Sequence, residues 1–243
     1  MGRRARMAFG AAGAALMLLA IGAAPATAAG GGAGAPAAAH GCTNSVKMPK
    51  HATTSKLVDT DVDGDGRSDI QFYGQQDGHL VYGLKTGAGG VFTVRDTLRG
   101  ARAHSGWTVA TDGDGVISVI DDTQTAKLYA FEDCRFVQPQ HKAGGAYDFA
   151  LGGTSKAGTG VACNDLNGGV FLERSTARKR SNGRYDVVRS IVRISDDGRL
   201  AYRQPGPDST TVRWSNLKSS DRRVQEARGS FCNDVPKVAA KTS

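Results

Sequence analysis

From Cys42 onward the apolar residues fall in short β-branched or aromatic runs, several of them alternating apolar with polar positions as a half-buried strand must. Ile70-Gln-Phe-Tyr, Leu80-Val-Tyr, Val116-Ile-Ser-Val-Ile, Val170-Phe-Leu and Ser190-Ile-Val-Arg-Ile are the clearest. Turn signals separate them, among them Asp63-Gly64, Asp77-Gly78, Gly89-Gly90, Asp112-Gly113, Gly168-Gly169, Asn182-Gly183 and Asp197-Gly198. No stretch sustains a helical period between caps. The pattern predicts an all-β chain built from antiparallel hairpins.

An internal repeat refines this. "DGRSDIQFYGQQDGHLVY" (65–82) can be laid over "NGRYDVVRSIVRISDDGRLAY" (182–202) if the second copy has three extra residues before its turn. Both read turn, Gly-Arg-x-Asp, strand, Asp-Gly-x-Leu-x-Tyr. "ATDGDGVISVI" from Ala110 and "CNDLNGGVFLE" from Cys163 look like degenerate copies of the first turn and its strand. A β-unit of about 50 residues cannot bury both its faces alone, which predicts about four hairpin units in a small or incomplete β-propeller-like array. The alternative is a β-sandwich.

The first residues change the picture of where the chain works. Arg3, Arg4 and Arg6 precede an apolar run from Met7 to Ala24 and an Ala26-Thr27-Ala28 cleavage site, which predicts a signal peptide over 1–28 and a secreted, extracellular protein with no stable membrane insertion after cleavage. A Gly/Ala-rich linker follows over 29–41, an all-β domain over 42–236, and a short polar tail over 237–243. The net charge is +8; removing the three leader arginines leaves 28 basic against 23 acidic groups, a mild +5. That is not the concentrated basic footprint of a nucleic-acid binder, and none is expected as a partner. The one basic cluster, Arg174 to Arg180 with Arg184 close behind, reads as a solvated hairpin loop without aromatics for base stacking.

Cys42, Cys134, Cys163 and Cys232 are an even set in an exported chain and predict two disulfides; no C-x-x-C or histidine companion supports zinc. Three connectivities are open. The working expectation is Cys42 with Cys232, closing nearly the whole chain, and Cys134 with Cys163.

The most informative stretch is "DTDVDGDGRSDI" (59–70). Counting from Asp61, positions 1, 3, 5 and 9 are Asp61, Asp63, Asp65 and Asp69, position 6 is Gly66, and position 7 offers the Arg67 carbonyl. Counting from Asp59 would put Arg67 at a ligand position, where it repels a cation. Two carboxylates about 4 Å apart repel by roughly 4 kcal/mol at an effective dielectric near 20, so the crowding calls for a positive partner. A hard, oxygen-seeking ion with flexible geometry suits four carboxylates and a carbonyl, and calcium (Ca2+) is the expected cofactor. An EF-hand is ruled out because position 12 is Phe72 and a strand-like run follows where a helix should begin.

The segment "LVDTDVDGDGRSDIQFYGQQDGHLVYGLKTGAGGVFTVRDTLRG" (57–100), with "SGWTV" after it, resembles the FG-GAP/VCBS repeats of secreted and cell-surface proteins, including integrin-like propeller blades. The resemblance implies a β-propeller-like array and calcium held by Asp61, Asp63, Asp65 and Asp69 with the Arg67 carbonyl. In the copy at Asn182, arginines at 178 and 180 stand where Asp61 and Asp63 stand, and Asp186 matches Asp69; in the copy at Asp112 and Asp114, Ser118 matches Asp69. One strong site is therefore expected. In the copy at Asn182, attraction between the arginines and Asp186 is expected instead of metal.

No catalytic set emerges. The histidines are isolated, and Ser155 lacks a G-x-S-x-G frame. Trp107 and Trp214 are the candidates for stacking on a sugar, set against packing in the core. The expectation is a secreted, calcium-stabilised, non-catalytic binding or interaction module whose partners are carbohydrate or cell-surface protein. The alternative is a secreted polysaccharide hydrolase or lyase on the same scaffold.

Overall fold

The computed structural model describes residues 41–99, 103–152, 158–166, 168–206, 209–232 and 235–241; the expected signal peptide, nearly all of the linker and Ser155 lie outside them. The described chain is all-β, as its alternation predicts, and is arranged as three largely antiparallel sheets.

The first sheet is a meander of β1 (Thr53–Lys56), β2 (Ile70–Gln76), β3 (His79–Lys85) and β4 (Val91–Arg95). The second contains β5 (Ser105–Thr111), β6 (Gly115–Asp121), β7 (Thr125–Glu132) and β8 (Arg135–Val137), with β9 (Asp148–Ala150) beside β7. The third runs through β10 (Gly158–Leu166), β11 (Gly169–Lys179), β12 (Tyr185–Ile194) and β13 (Ala201–Arg203), with β14 (Thr210–Leu217) also beside β12. One short helix, α1 (Arg222–Glu226), follows, capped by the Asp221 side chain, which accepts from the Arg223 amide. Five residues are too few to show a helical period, so the pattern along the chain gave no sign of it. β15 (Ser230–Cys232) then joins β10 in parallel, and β16 (Val238–Ala239) closes the edge of the second sheet against β5.

The second sheet is the middle layer. Phe72, Tyr82 and Leu84 of the first sheet are fully buried, and Tyr73, Tyr82, Ile120, Tyr129 and Val238 pack into one cluster on its side. On the other side Trp107, Ile117, Val119 and Leu128 meet Val161, Leu172 and Val192 of the third sheet. Burial on both faces is why β6 reads as a nearly unbroken apolar run. The four echoes in the sequence fall on three sheets, because the turns at 166–169 and 180–184 both belong to the third.

The expected cysteine pairing is corrected. The disulfides join Cys42 to Cys134 and Cys163 to Cys232, with Cα atoms 5.5 and 4.6 Å apart. Register decides the second pair, since Cys163 and Cys232 stand directly opposite in the β10–β15 ladder. The other bond ties the start of the domain to the turn between β7 and β8. In the C-terminal segment, Val238 is buried in the cluster between the first two sheets, and Lys237 donates to Asp121.

Candidate metal centre

The acidic stretch forms the connection between β1 and β2, which pair directly from Thr53–Tyr73 to Lys56–Ile70. The Leu57 amide donates to the Asp69 carbonyl at 2.9 Å and closes its base. Leu57 and Val62 are buried with Leu84, Val116 and Phe131. These two apolar anchors leave the intervening aspartates to fold back on the loop itself.

There the carboxylates accept from backbone amides. Asp61 takes Gly66 N at 2.6 Å and Asp65 N at 3.2 Å; Asp63 takes Cys42 N at 2.6 Å; Asp65 takes Arg67 N at 2.8 Å. Gly64 and Gly66 turn the backbone at φ 70° and 76°, a region where a Cβ is strained. Carboxylate oxygens of Asp61, Asp63 and Asp65 consequently lie within 4.8 Å of one another.

The second oxygen of Asp65, Oδ2, is buried and has no hydrogen-bond partner. Gly41 covers it, and a Cβ on that glycine would come within 3.1 Å of the oxygen and 2.7 Å of Ala88. None of the ion pairs among the described residues involves Asp61, Asp63, Asp65 or Asp69. Three converging carboxylates, one of them with a buried oxygen that has no hydrogen-bond partner, are costly together unless a cation sits among them, so the donor set fits a hard cation.

Asp69 stands apart from that group of three. It is fully buried, and its oxygens accept from Val62 N at 2.6 Å and Gly87 N at 2.7 Å, so it braces the loop against the β3–β4 turn. An ionised carboxylate has about four acceptor sites, which leaves lone pairs beyond these two bonds. Arg67 carries its side chain outward, with Nη1 3.5 Å from the Gly87 carbonyl.

Proton affinities within the loop diverge. Burial pushes Asp63 up, with the charges of Asp65 and Asp61 adding to it, against the Cys42 amide. Burial likewise raises Asp69 despite its two amide donors. Burial also opposes the charge on Asp61, but the amides of Gly66, Gly64, Asp63 and Asp65 together hold its carboxyl below the ordinary value.

Two of the echoes meet a cation supplied by the chain. Asp114, in the tight β5–β6 turn, is almost completely buried; its Oδ1 accepts from Ile194 N at 3.0 Å and pairs with Arg193 at 3.2 Å, while its Oδ2 is buried without a hydrogen-bond partner. Ser118, at the position matching Asp69, bonds Thr108. Asp186 pairs with Arg180 at 2.7 Å, the attraction expected for that copy.

Trp107 is fully buried and donates to Ser230, so its ring has no face for a sugar. Trp214 is half-buried, with the guanidinium groups of Arg189 and Arg223 at 5.2 and 5.7 Å from its ring. Sequence reasoning missed a buried trio in which Tyr73 and His104 both bond the Asp96 carboxylate. Burial, with the Asp96 charge beside it, pushes the Tyr73 hydroxyl well up, which suits a fixed donor. No sequence spacing links these three. A pocket of about 310 Å³ holds one acid, Asp121, already bonded by Lys237 at 3.3 Å.

Comparison with protein-family models, with curated proteins and with solved structures finds no match for this chain.

Proposed function

We propose that the protein is an exported, non-catalytic binding module whose β1–β2 loop is held by calcium. The observation that carries this reading is the convergence of carboxylate oxygens of Asp61, Asp63 and Asp65 within 4.8 Å, with one Asp65 oxygen buried and without a hydrogen-bond partner. Asp61, Asp63 and Asp65 would hold the ion, with Asp69 and the Arg67 carbonyl completing the set that the resemblance to FG-GAP/VCBS repeats implies. The ion's chemistry is charge neutralisation and cross-linking of the loop. Two disulfides suit an oxidising, extracellular-type environment, in which millimolar calcium fills even a site with a dissociation constant of about 10⁻⁴ to 10⁻³ M. The propeller-like reading belongs to the same proposal, supported by three sheets in chain order, each packed on the next.

Binding of calcium to the folded state alone stabilises it by linkage. Isothermal titration of the metal-stripped protein is expected to show one site. The melting temperature is expected to rise with calcium and fall with chelator; an identical melting temperature in both would remove calcium from the account. The hydrolase or lyase alternative required two carboxylates facing each other in a tryptophan-lined cleft. Trp107 in the core, Trp214 between arginines and a single ion-paired acid in the pocket give it no support.

A further inference from the structure

The basic stretch that reads as a solvated loop in the sequence gains neighbours in the fold. On β11 and β12, Arg178 stands opposite Asp186; on β12 and β14, Val188 stands opposite Arg213. Asp186 and Val188 are two residues apart on one strand and share a face, so Arg178 and Arg213 project from that same face. The opposite face is taken up by Ala177, Tyr185, Val187 and Leu217, packed with Val224 and Ala227 in and just after α1. Lys179 and Arg184 flank the tip of the β11–β12 hairpin, and Lys218 follows β14 at the same end.

Arg178, Lys179, Arg213 and Lys218 are exposed, Arg184 is half-buried, and none of the five forms an ion pair with a described carboxylate. The acid nearest them, Asp186, is already engaged by Arg180 and by the Asn216 amide. Strands lie about 4.8 Å apart, so β12 between them sets Arg178 and Arg213 about 10 Å apart across the sheet. This is a predominantly basic sheet face of separated charges, its one acid Asp186 already paired with Arg180, rather than a pocket for one small anion.

We infer that this end of the third sheet is a docking face for an extended anionic polysaccharide, one bearing sulfate, phosphodiester or uronate groups. Charge complementarity selects a polyanion. The hairpin tip, Arg180-Ser181-Asn182-Gly183-Arg184, has no apolar side chain to enter a lipid surface, and Trp214 lies on the other face of the sheet, out of reach for base stacking. The inference gives the binding role proposed above a face and a partner class; it rests on that role and not on calcium.

The test is retention of the disulfide-bonded protein on immobilised heparin, on immobilised polygalacturonate and on neutral dextran at about 0.15 M salt, where exposed charges more than about 8 Å apart are screened. Retention on one or both anionic supports, reversed by added salt, is expected. R178E/R213E should weaken it by about tenfold or more, while K47E/K50E, with the same change in net charge at exposed sites elsewhere, should leave it nearly unchanged. Matching melting temperatures would show that both variants are folded. Equal loss in the two variants, or stronger retention on vesicles containing anionic phospholipid, would overturn the assignment. Binding to a neutral glycan alone, unaffected by R178E/R213E, would overturn it and leave the binding-module reading standing; retention on no glycan would count against both.

Discussion

The loop at 59–70 and the turn at 178–186 share the motif Gly-Arg-x-Asp, yet they solve the same electrostatic problem in opposite ways. In the first, three carboxylates converge, one with a buried oxygen that has no partner, and no described cation pairs with any of them. In the second, Arg180 neutralises Asp186 directly. The Asp114 turn follows the second pattern in having a cation of its own, Arg193 on Oδ1, although its Oδ2 is buried without a hydrogen-bond partner as Asp65 Oδ2 is. Loop length separates the cases: residues 57–69 have room to fold back on an ion, whereas the 112–114 and 180–184 turns are tight hairpins. An aspartate-rich turn demands an outside cation only where the chain supplies none of its own.

The largest expected effect comes from removing the bond that seats the loop. C42S/C134S opens a ring of 92 residues and is expected to cost about 4 kcal/mol of stability in denaturant unfolding. It should also weaken calcium binding, because the Cys42 amide holds Asp63. R193M is next. Leaving Asp114 buried without its cation should cost about 2 to 3 kcal/mol, discounted for the partial exposure of the arginine; an unchanged midpoint would show that the Ile194 amide suffices.

Smaller, but more telling, is D65N. At millimolar calcium it should lose about 1 to 2 kcal/mol, the linkage contribution of a site near 10⁻⁴ M, and under chelator it should equal or exceed the parent protein because a repulsive charge is gone. A calcium-induced rise in melting temperature that survives D65N would break the contrast between the two turns. R180M should lower the melting temperature least of the four, because the pair it breaks is exposed to solvent. Its effect is on titration: the Arg180 hydrogen bond holds the Asp186 carboxyl below its ordinary value, so this contribution is present above the unfolded value and fades as pH falls through the folded one. NMR titration of R180M should show Asp186 returning toward the ordinary range.

Alternation and turn chemistry made the strands legible, because a strand's period of two depends only on which face is wet. The clustering of Asp61, Asp63 and Asp65 was legible for a similar reason: all three lie in one loop. Asp69 shows the limit of such reading. Its two amide donors come from Val62, inside the loop, and from Gly87, across a turn of the same sheet, and no spacing rule announces the second. Trp107 and Trp214 look alike in sequence, yet one fills the core and the other lies beside two arginines.

By itself, then, the sequence determined an all-β chain with two disulfides' worth of cysteines and one turn crowded with aspartates. Pairing of those cysteines, the burial of the Asp65 oxygen under Gly41, the approach of Arg193 to Asp114, and the gathering of Arg178 with Arg213 were decided only in the tertiary structure. The reason is the range of the forces involved. Backbone periodicity and loop crowding act between residues a few positions apart, whereas the Asp114–Arg193 pair and the disulfide register depend on strands that are distant in the chain.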